Sequence, residues 1–302
     1  MPDSYPKITI ITPCYNLGQY LEQTILSIIN QNYPNLEYIV IDGGSTDNTV
    51  EIIEKYREHI AYWVSEPDEG IYHALQKGFE KSTGDIMAWL NADDMYHAGA
   101  LMRVKTVFQQ FPQIKWLTGF PSVYDEGGTM IVHPPGTFKK WSKYEVYLGH
   151  YQWIQQESTF WTRDLWEAAG GYITTQYKVA GDFELWLRFF RFERLYSVPT
   201  PIGGYRVRKE QLSRSKFAEY KHEIQTMIEQ EPLDEATQKR VNKIKLLGRI
   251  LNKTRAIDSY RLKRYYYQLF DYPYSVVFSN DSQTLSMNED IDRVDFKLKM
   301  YQ

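Results

Sequence analysis

Residues 8–53 read ITIITPCYNLGQYLEQTILSIINQNYPNLEYIVIDGGSTDNTVEII. The run from Lys7 to Thr12 is β-branched and ends at Pro13, the pattern of a short buried strand. From Gly18 to Asn30, the residues Leu21, Ile25 and Ile28 recur at helical spacing and form one apolar stripe. Tyr38 to Ile41 is a second apolar run, closed by the turn-rich Asp42-Gly43-Gly44-Ser45-Thr46-Asp47. Ser45 to Asp47 are helix-capping residue types, and Val50, Ile53 and Tyr56 follow on one helical face. Strand, helix, strand and helix in so short a stretch predict βαβ units. The expected fold is α/β, with a Rossmann-like, mainly parallel central sheet flanked by helices.

The same alternation continues outward. Ala61 to Val64 reads as a third strand and Gly70 to Lys81 as a third helix. Ile86 to Leu90 is a fourth strand, running directly into Asn91-Ala92-Asp93-Asp94. Further on, Lys115–Phe120 reads as a strand, a hairpin is expected at Gly127-Gly128, and 134–156 is irregular and rich in Trp and Tyr. Ser158–Trp161 is strand-like. Asp182–Phe192 is helical, with Phe183, Trp186, Leu187 and Phe190 on one face, and Leu195–Val198 and Ile202–Val207 read as strands. Composition then shifts. Between Lys239 and Arg264 there are ten basic residues and one acidic residue, a local +9 within a chain of net charge −3, so the rest carries −12. The expected boundary divides an α/β domain, 1–215, from a basic, mostly helical C-terminal extension, 216–302. Ile244, Leu247 and Leu251 share one side of a helix there. Such a basic amphipathic helix either packs on the main domain or lies on an anionic membrane surface.

Several classes are disfavoured. The 302 residues fit one large α/β domain, or one domain plus an extension, and 43% hydrophobic content supplies a core. A net charge of −3 argues against a nucleic-acid partner. A single cysteine, Cys14, gives no intramolecular disulfide framework and no Cys-based zinc site; it reads as a small wall residue. The six histidines lack metal-ligand spacing, and only His150, in the aromatic 134–156 region, merits testing. The opening MPDSYPKITIITP reads as a first strand, not a signal peptide, and no apolar run approaches ~18 residues. The expected location is cytoplasmic, with any membrane contact peripheral. The 47 aromatic residues offer flat amphipathic surfaces, mostly for the core and, around Trp141 to Trp153, for an acceptor cleft.

In an open parallel sheet, ligands bind beyond the carboxyl ends of the strands. The polar groups expected there are Pro13–Asn16, Asp42, Glu66 with Asp68, and Asp93 with Asp94. One carboxylate at a strand end is commonly a helix cap, but four successive strand ends presenting such groups indicate a shared rim. No G-x-G-x-x-G and no G-x-x-x-x-G-K-[ST] occurs, which disfavours a nicotinamide enzyme and a P-loop NTPase. The Asp93-Asp94 pair suits Mg²⁺ or Mn²⁺, which are shared with substrate phosphates, and so points to a diphosphate-bearing substrate.

These residues carry a resemblance. The 8–53 run, together with SEPDEGIYHALQKGFEKSTGDIMAWLNADDMY at 65–96, resembles the opening of a family 2 glycosyltransferase with the GT-A fold. The resemblance continues more weakly through QESTFW at 156–161, GGY at 170–172, AGDFELWLRFF at 180–190 and GGYRVRKEQLS at 203–213, covering about residues 6–215. It implies an inverting, metal-dependent enzyme that moves a sugar from a nucleoside diphosphate, UDP by family frequency, to a saccharide or lipid-linked acceptor. Assembly of bacterial surface polysaccharide or glycolipid is the implied setting.

The resemblance also implies roles. Pro13, Tyr15, Asn16, Asp42, Asp68, Lys77, Asn91 and Asp93 would surround the nucleotide, with Asp42 on the base. Asp93 and Asp94 fall in the segment called DXD, and Asp94 would meet Mn²⁺ or Mg²⁺. Asp182 matches the catalytic base, while Gln156, Glu157 and Trp153 would line the acceptor side. Asp182 begins a helix, whose N-terminus lowers a carboxyl pKa, whereas burial raises it. Family members often carry His where this chain has Arg208; its guanidinium can instead pair with diphosphate or simply be solvated. Two other readings remain at this point. A sugar-phosphate nucleotidyltransferase would need a Gly-rich basic loop that Thr12–Asn16 lacks. A non-catalytic nucleotide- or glycan-binding module is opposed by the intact Asp93, Asp94 and Asp182.

Overall fold

The computed structural model describes residues 5–131, 139–150, 153–209, 216–254, 260–279 and 284–288. Its first half follows the hydrophobic pattern closely. Strands β1 (Ile8–Cys14), β2 (Leu36–Asp42), β3 (Tyr62–Ser65) and β4 (Ile86–Trp89) alternate with helices α1 (Gly18–Ile29), α2 (Thr49–Lys55) and α3 (Ile71–Lys81). β1 is buried along its whole length, as expected of a strand covered on both faces. Asp47 holds the start of two helices at once. One carboxylate oxygen accepts from the Gly18 N–H at 3.0 Å, and the other from the Thr49 N–H at 3.0 Å.

Next come β5 (Met95–Tyr96), α4 (Ala100–Gln110), β6 (Trp116–Phe120), β7 (Val123–Tyr124), β8 (Met130–Ile131), α5 (Lys143–Tyr147), β9 (Thr159–Thr162), α6 (Arg163–Ala168), α7 (Gly181–Phe192), β10 (Tyr196–Pro201) and β11 (Gly203–Arg206). The expected hairpin is present as the antiparallel pair β7–β8. Helices α4, α5 and α6 were not expected. Leu101, Val104, Val107 and Phe108 on α4 are all buried, so this helix carries an ordinary apolar stripe.

The central sheet has seven strands in the order β10-β6-β9-β4-β1-β2-β3. β9 runs antiparallel to both β4 and β6, and every other pairing is parallel. The mainly parallel sheet is therefore present, with a single reversed strand. The register sets Cys14 beside Asp42, and Asp42 beside Ser65, so three strands end level. A small second sheet, β5-β11-β7-β8, joins the first beyond the end of β4, where Arg206 of β11 bonds Asp93 and Asp94.

Core side chains pack on both faces of the sheet. One face is strongly aromatic. Trp186 of α7 stacks on Trp89 at 5.6 Å and 8°, and on Trp116 at 5.4 Å and 27°. Each such pair adds about 0.5–1.5 kcal/mol beyond the area it buries. Trp141, expected in the acceptor cleft, belongs to this core instead, with the Lys139 ammonium over its ring.

The extension shares the same core. Ile224 and Met227 of α8 (Phe217–Gln230), Val241, Ile244 and Leu251 of α9 (Glu235–Thr254), and Tyr266 of α10 (Tyr260–Gln268) are buried in it. The apolar stripe of α9 thus faces the protein, while Leu246 and Ile250 lie exposed on its other side. The extension also holds a β-hairpin, β12 (Ser275–Ser279) with β13 (Thr284–Asn288), which was not expected. Among the described residues, no helix is long and apolar enough to cross a membrane.

Candidate active site

A cleft of about 450 Å³ opens above the carboxyl ends of β1 and β4. Its walls bring together Pro13, Tyr15, Asn16, Asp68, Asn91, Asp93, Asp94, Trp153, Gln156, Glu157, Asp182 and Arg208, all expected from the sequence. Asp42 and Lys77 do not line it.

Asp42 is fully buried and its oxygens are already engaged. They accept from the N–H groups of Gly44 and Ser45 at 3.2 and 2.9 Å, and from the hydroxyls of Ser45 and Ser65 at 2.5 and 2.6 Å. The carboxylate expected at the base folds the β2–α2 turn, with four donors of its own chain on it. The turn is tied in turn to the β1–α1 loop. Asn16, at φ 50°, accepts the Thr46 N–H on its Oδ1 at 2.8 Å, and its own N–H donates to Ser45 Oγ at 2.8 Å. Lys77 pairs with Glu66 at 2.7 Å, which draws its ammonium away from the cleft. Asp68 remains on the wall, steadied by the Gly70 N–H at 2.8 Å.

Beyond the end of β4, Asp93 and Asp94 meet Arg206 of β11 and Arg208 just after it. The Arg206 N–H donates to Asp94 Oδ1 at 2.9 Å, and its Nε to the Asp93 carbonyl at 2.6 Å. The rest of that guanidinium reaches the Glu126 carbonyl at 3.0 Å and Gln23 Oε1 at 2.7 Å, and Arg206 is wholly buried. Arg206 was not singled out in the sequence, where nothing separates it from Arg208. Arg208 Nε donates to Asp93 Oδ2 at 2.6 Å, so it is not simply solvated. Glu157 is packed nearby. Burial, then the charges of Asp93 and Glu157, hold the Asp94 carboxyl well above the usual range. Burial likewise pushes Glu157 up to about 8, with Asp93 and Asp182 contributing.

This donor set fits a hard divalent cation. Every group is oxygen, and the carboxylates are mutually destabilised as they stand. Two buried oxygens, Asn91 Oδ1 and Glu157 Oε1, have no hydrogen-bond partner. No group of three or more His, Cys, Asp or Glu side chains among the described residues forms a ready metal cage. A cation held here therefore needs phosphate oxygens and water to complete its shell.

Asp182 sits across the cleft, in the first turn of α7. Burial pushes its carboxyl up to about 6, against the opposing hydrogen bonds of the Phe183 N–H and the Tyr72 hydroxyl. The desolvation effect thus outweighs the helix N-terminus. Gln156 donates to the Trp89 carbonyl at 2.5 Å and ties the 156–158 turn to β4. Trp153, 42% exposed, is stacked on Tyr220 at 5.8 Å and 28° and meets Tyr205 edge-on at 5.8 Å. Tyr220 and Lys216, both beyond residue 215, line the cleft although no sequence pattern marked them. His150 does not line it. Cys14 does, but burial and the neighbouring Asp42 raise its thiol, which suits a wall residue and not a nucleophile.

Comparison with known proteins agrees with this geometry. The model of Glycosyl transferase family 2 matches residues 9–213. An uncharacterized glycosyltransferase of Haemophilus influenzae is 24% identical over 94% of this chain and 90% of its own length. The putative teichuronic acid biosynthesis glycosyltransferase TuaG of Bacillus subtilis is 29% identical over 43% of this chain. For TuaG and two other relatives, the matched region spans only 54%, 33% and 37% of their lengths. Residues 1–349 of S. aureus TarS, solved with UDP-GlcNAc, superpose with a TM-score of 0.62 at 17% identity, covering 87% of this chain and 79% of that one. The mannosyltransferase PcManGT of Pyrobaculum calidifontis, solved with GDP-Man and Mn²⁺, gives 0.59 at 19% identity, over 80% and 69%. The GT-A-like sheet, the acidic rim and a family model covering two thirds of the sequence identify the chain as a member of glycosyltransferase family 2.

Proposed function

We propose that this glycosyltransferase moves a sugar from a nucleoside diphosphate to an acceptor hydroxyl, with inversion, and that a divalent cation assists. The observation that carries the reading is that two sets of acidic groups line one cleft. Asp93, Asp94 and Glu157 form one, and Asp182, raised to about 6, is the other.

Asp94, helped by the unpartnered Asn91 Oδ1 and Glu157 Oε1, would hold Mn²⁺ or Mg²⁺. The cation would supply charge stabilisation for the departing diphosphate without a proton donor. Arg208, anchored on Asp93, would add a second positive charge beside the diphosphate. The loop from Pro13 to Asn16 and Asp68 would border the nucleoside, as the resemblance implies. Asp182 would take the acceptor proton as its oxygen attacks the anomeric carbon. A pKa near 6 leaves it mostly ionised at pH 7 yet more basic than an ordinary aspartate. Attack from the side opposite the diphosphate inverts the centre, through a transition state with oxocarbenium character.

Trp153, with Tyr205 and Tyr220, offers an apolar ring surface suited to a sugar face on the acceptor side. The likeness to TuaG, named as a putative teichuronic acid biosynthesis glycosyltransferase, and to TarS, solved with UDP-GlcNAc, supports a UDP-sugar donor and a bacterial surface glycan as product. We also keep peripheral membrane contact in this reading. The outward side of α9 pairs the exposed Leu246 and Ile250 with Lys243, Lys245, Arg249 and Lys253. Cosedimentation with anionic liposomes at low salt tests that part, and no binding removes it. The enzymatic reading is tested by incubating the protein with UDP-GlcNAc, UDP-glucose and GDP-mannose, with Mn²⁺ or EDTA. Cation-dependent release of nucleoside diphosphate is expected. Equal release in EDTA contradicts the metal role.

A further inference from the structure

We propose that Glu223, on the first helix of the extension, is a positioning residue for the base Asp182; this rests on the reading of Asp182 given above. One carboxylate gathers three consecutive backbone N–H groups. Glu223 Oε1 accepts from Lys178 at 2.9 Å, and Oε2 from Val179 at 3.1 Å and Ala180 at 2.9 Å. The next residues are Gly181 and Asp182, which open α7. The clamped segment lies between the Gly170-Gly171 turn, both glycines at positive φ, and the helix that carries the base. No strand pairing holds the segment, and Glu223 is the partner of these three N–H groups.

Lys178 and Val179 themselves form cleft wall. Lys216, the N-cap of α8, and Tyr220 of the same helix line the cleft one to two turns before Glu223, and the helix is pinned by Ile224 and Met227 in the aromatic core. Glu223 therefore couples a rigidly packed helix to the backbone that aims Asp182. Three successive N–H groups meeting one anion, just ahead of a helix N-terminus, form a favourable electrostatic arrangement. A shift of the base by even an ångström costs catalysis heavily. The charged and titratable groups around Asp182 are Tyr72 on α3, Glu157 in the 156–158 turn, Lys178 in the clamped segment and Glu223 itself.

The test begins with the unaltered protein. Hydrogen exchange should find the amides of 178–180 protected as well as those of α8; exchange at open-loop rates overturns the proposal. Glu223→Ala and Glu223→Gln are then compared with Met227→Ala, a core change on the same helix. With whichever nucleotide sugar the wild type turns over, kcat should fall about 100-fold in Glu223→Ala and less in Glu223→Gln, with donor KM within twofold. The carboxyl titration of Asp182, followed by ¹³C NMR, should move down once the Glu223 charge is gone. Met227→Ala should lower Tm without either change. Wild-type kcat in folded Glu223→Ala, or the same kcat loss and titration shift in Met227→Ala, overturns the proposal. If Asp182→Asn is inactive while Glu223→Ala is unimpaired, only the clamp fails. If Asp182→Asn turns over normally, the base reading and the clamp fail together.

Discussion

Arg208 Nε lies 2.6 Å from Asp93 Oδ2, and the side chains are only 17% and 9% exposed. The pair adds a second guanidinium, after the buried Arg206, to the carboxylate cluster. An arginine at this place offsets charge without ligating metal.

Removing that cation should be costly. Arg208→Met leaves Asp93 buried beside Asp94 and Glu157, and is expected to lower unfolding stability by about 2–4 kcal/mol in urea titrations. Affinity for UDP with Mn²⁺ should fall at least about tenfold, since a charge-assisted contact to diphosphate is lost. Wild-type stability and affinity would show that the pair is incidental.

Asp182 makes activity and stability depend on pH in opposite senses. Its folded pKa is about 6, above the ordinary aspartate value. Below that pH the base is protonated, so kcat should drop about tenfold per unit on the acid side. Stability runs the other way. The folded state holds the proton more tightly, so its advantage is full below the unfolded pKa of about 4 and is lost as pH rises through 6. Asp182→Asn is therefore expected to be more stable than wild type at pH 7, by up to about 2 kcal/mol, and no more stable at pH 3.5. Thermal melts across this range check it.

The acidic cluster should respond to a cation. With Mn²⁺ and UDP each at 100 times its dissociation constant, the folded state gains at least about 2.7 kcal/mol and Tm rises. Asp94→Ala should abolish the part that depends on Mn²⁺. A Tm increment that survives in Asp94→Ala would move the cation elsewhere.

Gly203 joins the fold to the site. A Cβ at this position would lie 2.0 Å from the Glu157 carbonyl oxygen, against backbone that cannot swing aside. Gly203→Ala should cost about 1–3 kcal/mol of stability and displace Glu157, lowering turnover as well. A neutral result by urea unfolding would mean that β11 and the 156–158 turn approach each other less closely.

The sequence was most legible where one residue pattern had one physical meaning. The β1–α1–β2 stretch alternates apolar period and turn chemistry, and every element appears within a few residues of its expected place. The strand-end groups Asp68, Asp93 and Asp94 line one cleft, while Glu66 does not and pairs with Lys77. Asp42 is buried in its own turn and not on the cleft wall, a distinction that a residue pattern does not carry. Helix α4 was readable from Leu101, Val104, Val107 and Phe108, yet it starts after Gly99 in a left-handed conformation, without the usual Ser or Asp cap. Arg206, Tyr220 and Glu223 were beyond reach. Their roles come from contacts with residues 43 to 183 positions away, and their neighbours in sequence give no periodic hint. Trp141 and Trp153 share a composition, and only packing separates a core residue from a cleft wall.

The most direct test of the account is the turnover of nucleotide sugars by wild type and Asp182→Asn under identical conditions. The panel is UDP-GlcNAc, UDP-glucose and GDP-mannose with Mn²⁺ at pH 7.5, with nucleoside diphosphate release as the readout and circular dichroism as the check on folding. The account predicts Mn²⁺-dependent release by wild type and a loss of about 10²- to 10⁴-fold in the folded variant. Release by Asp182→Asn at the wild-type rate would contradict it.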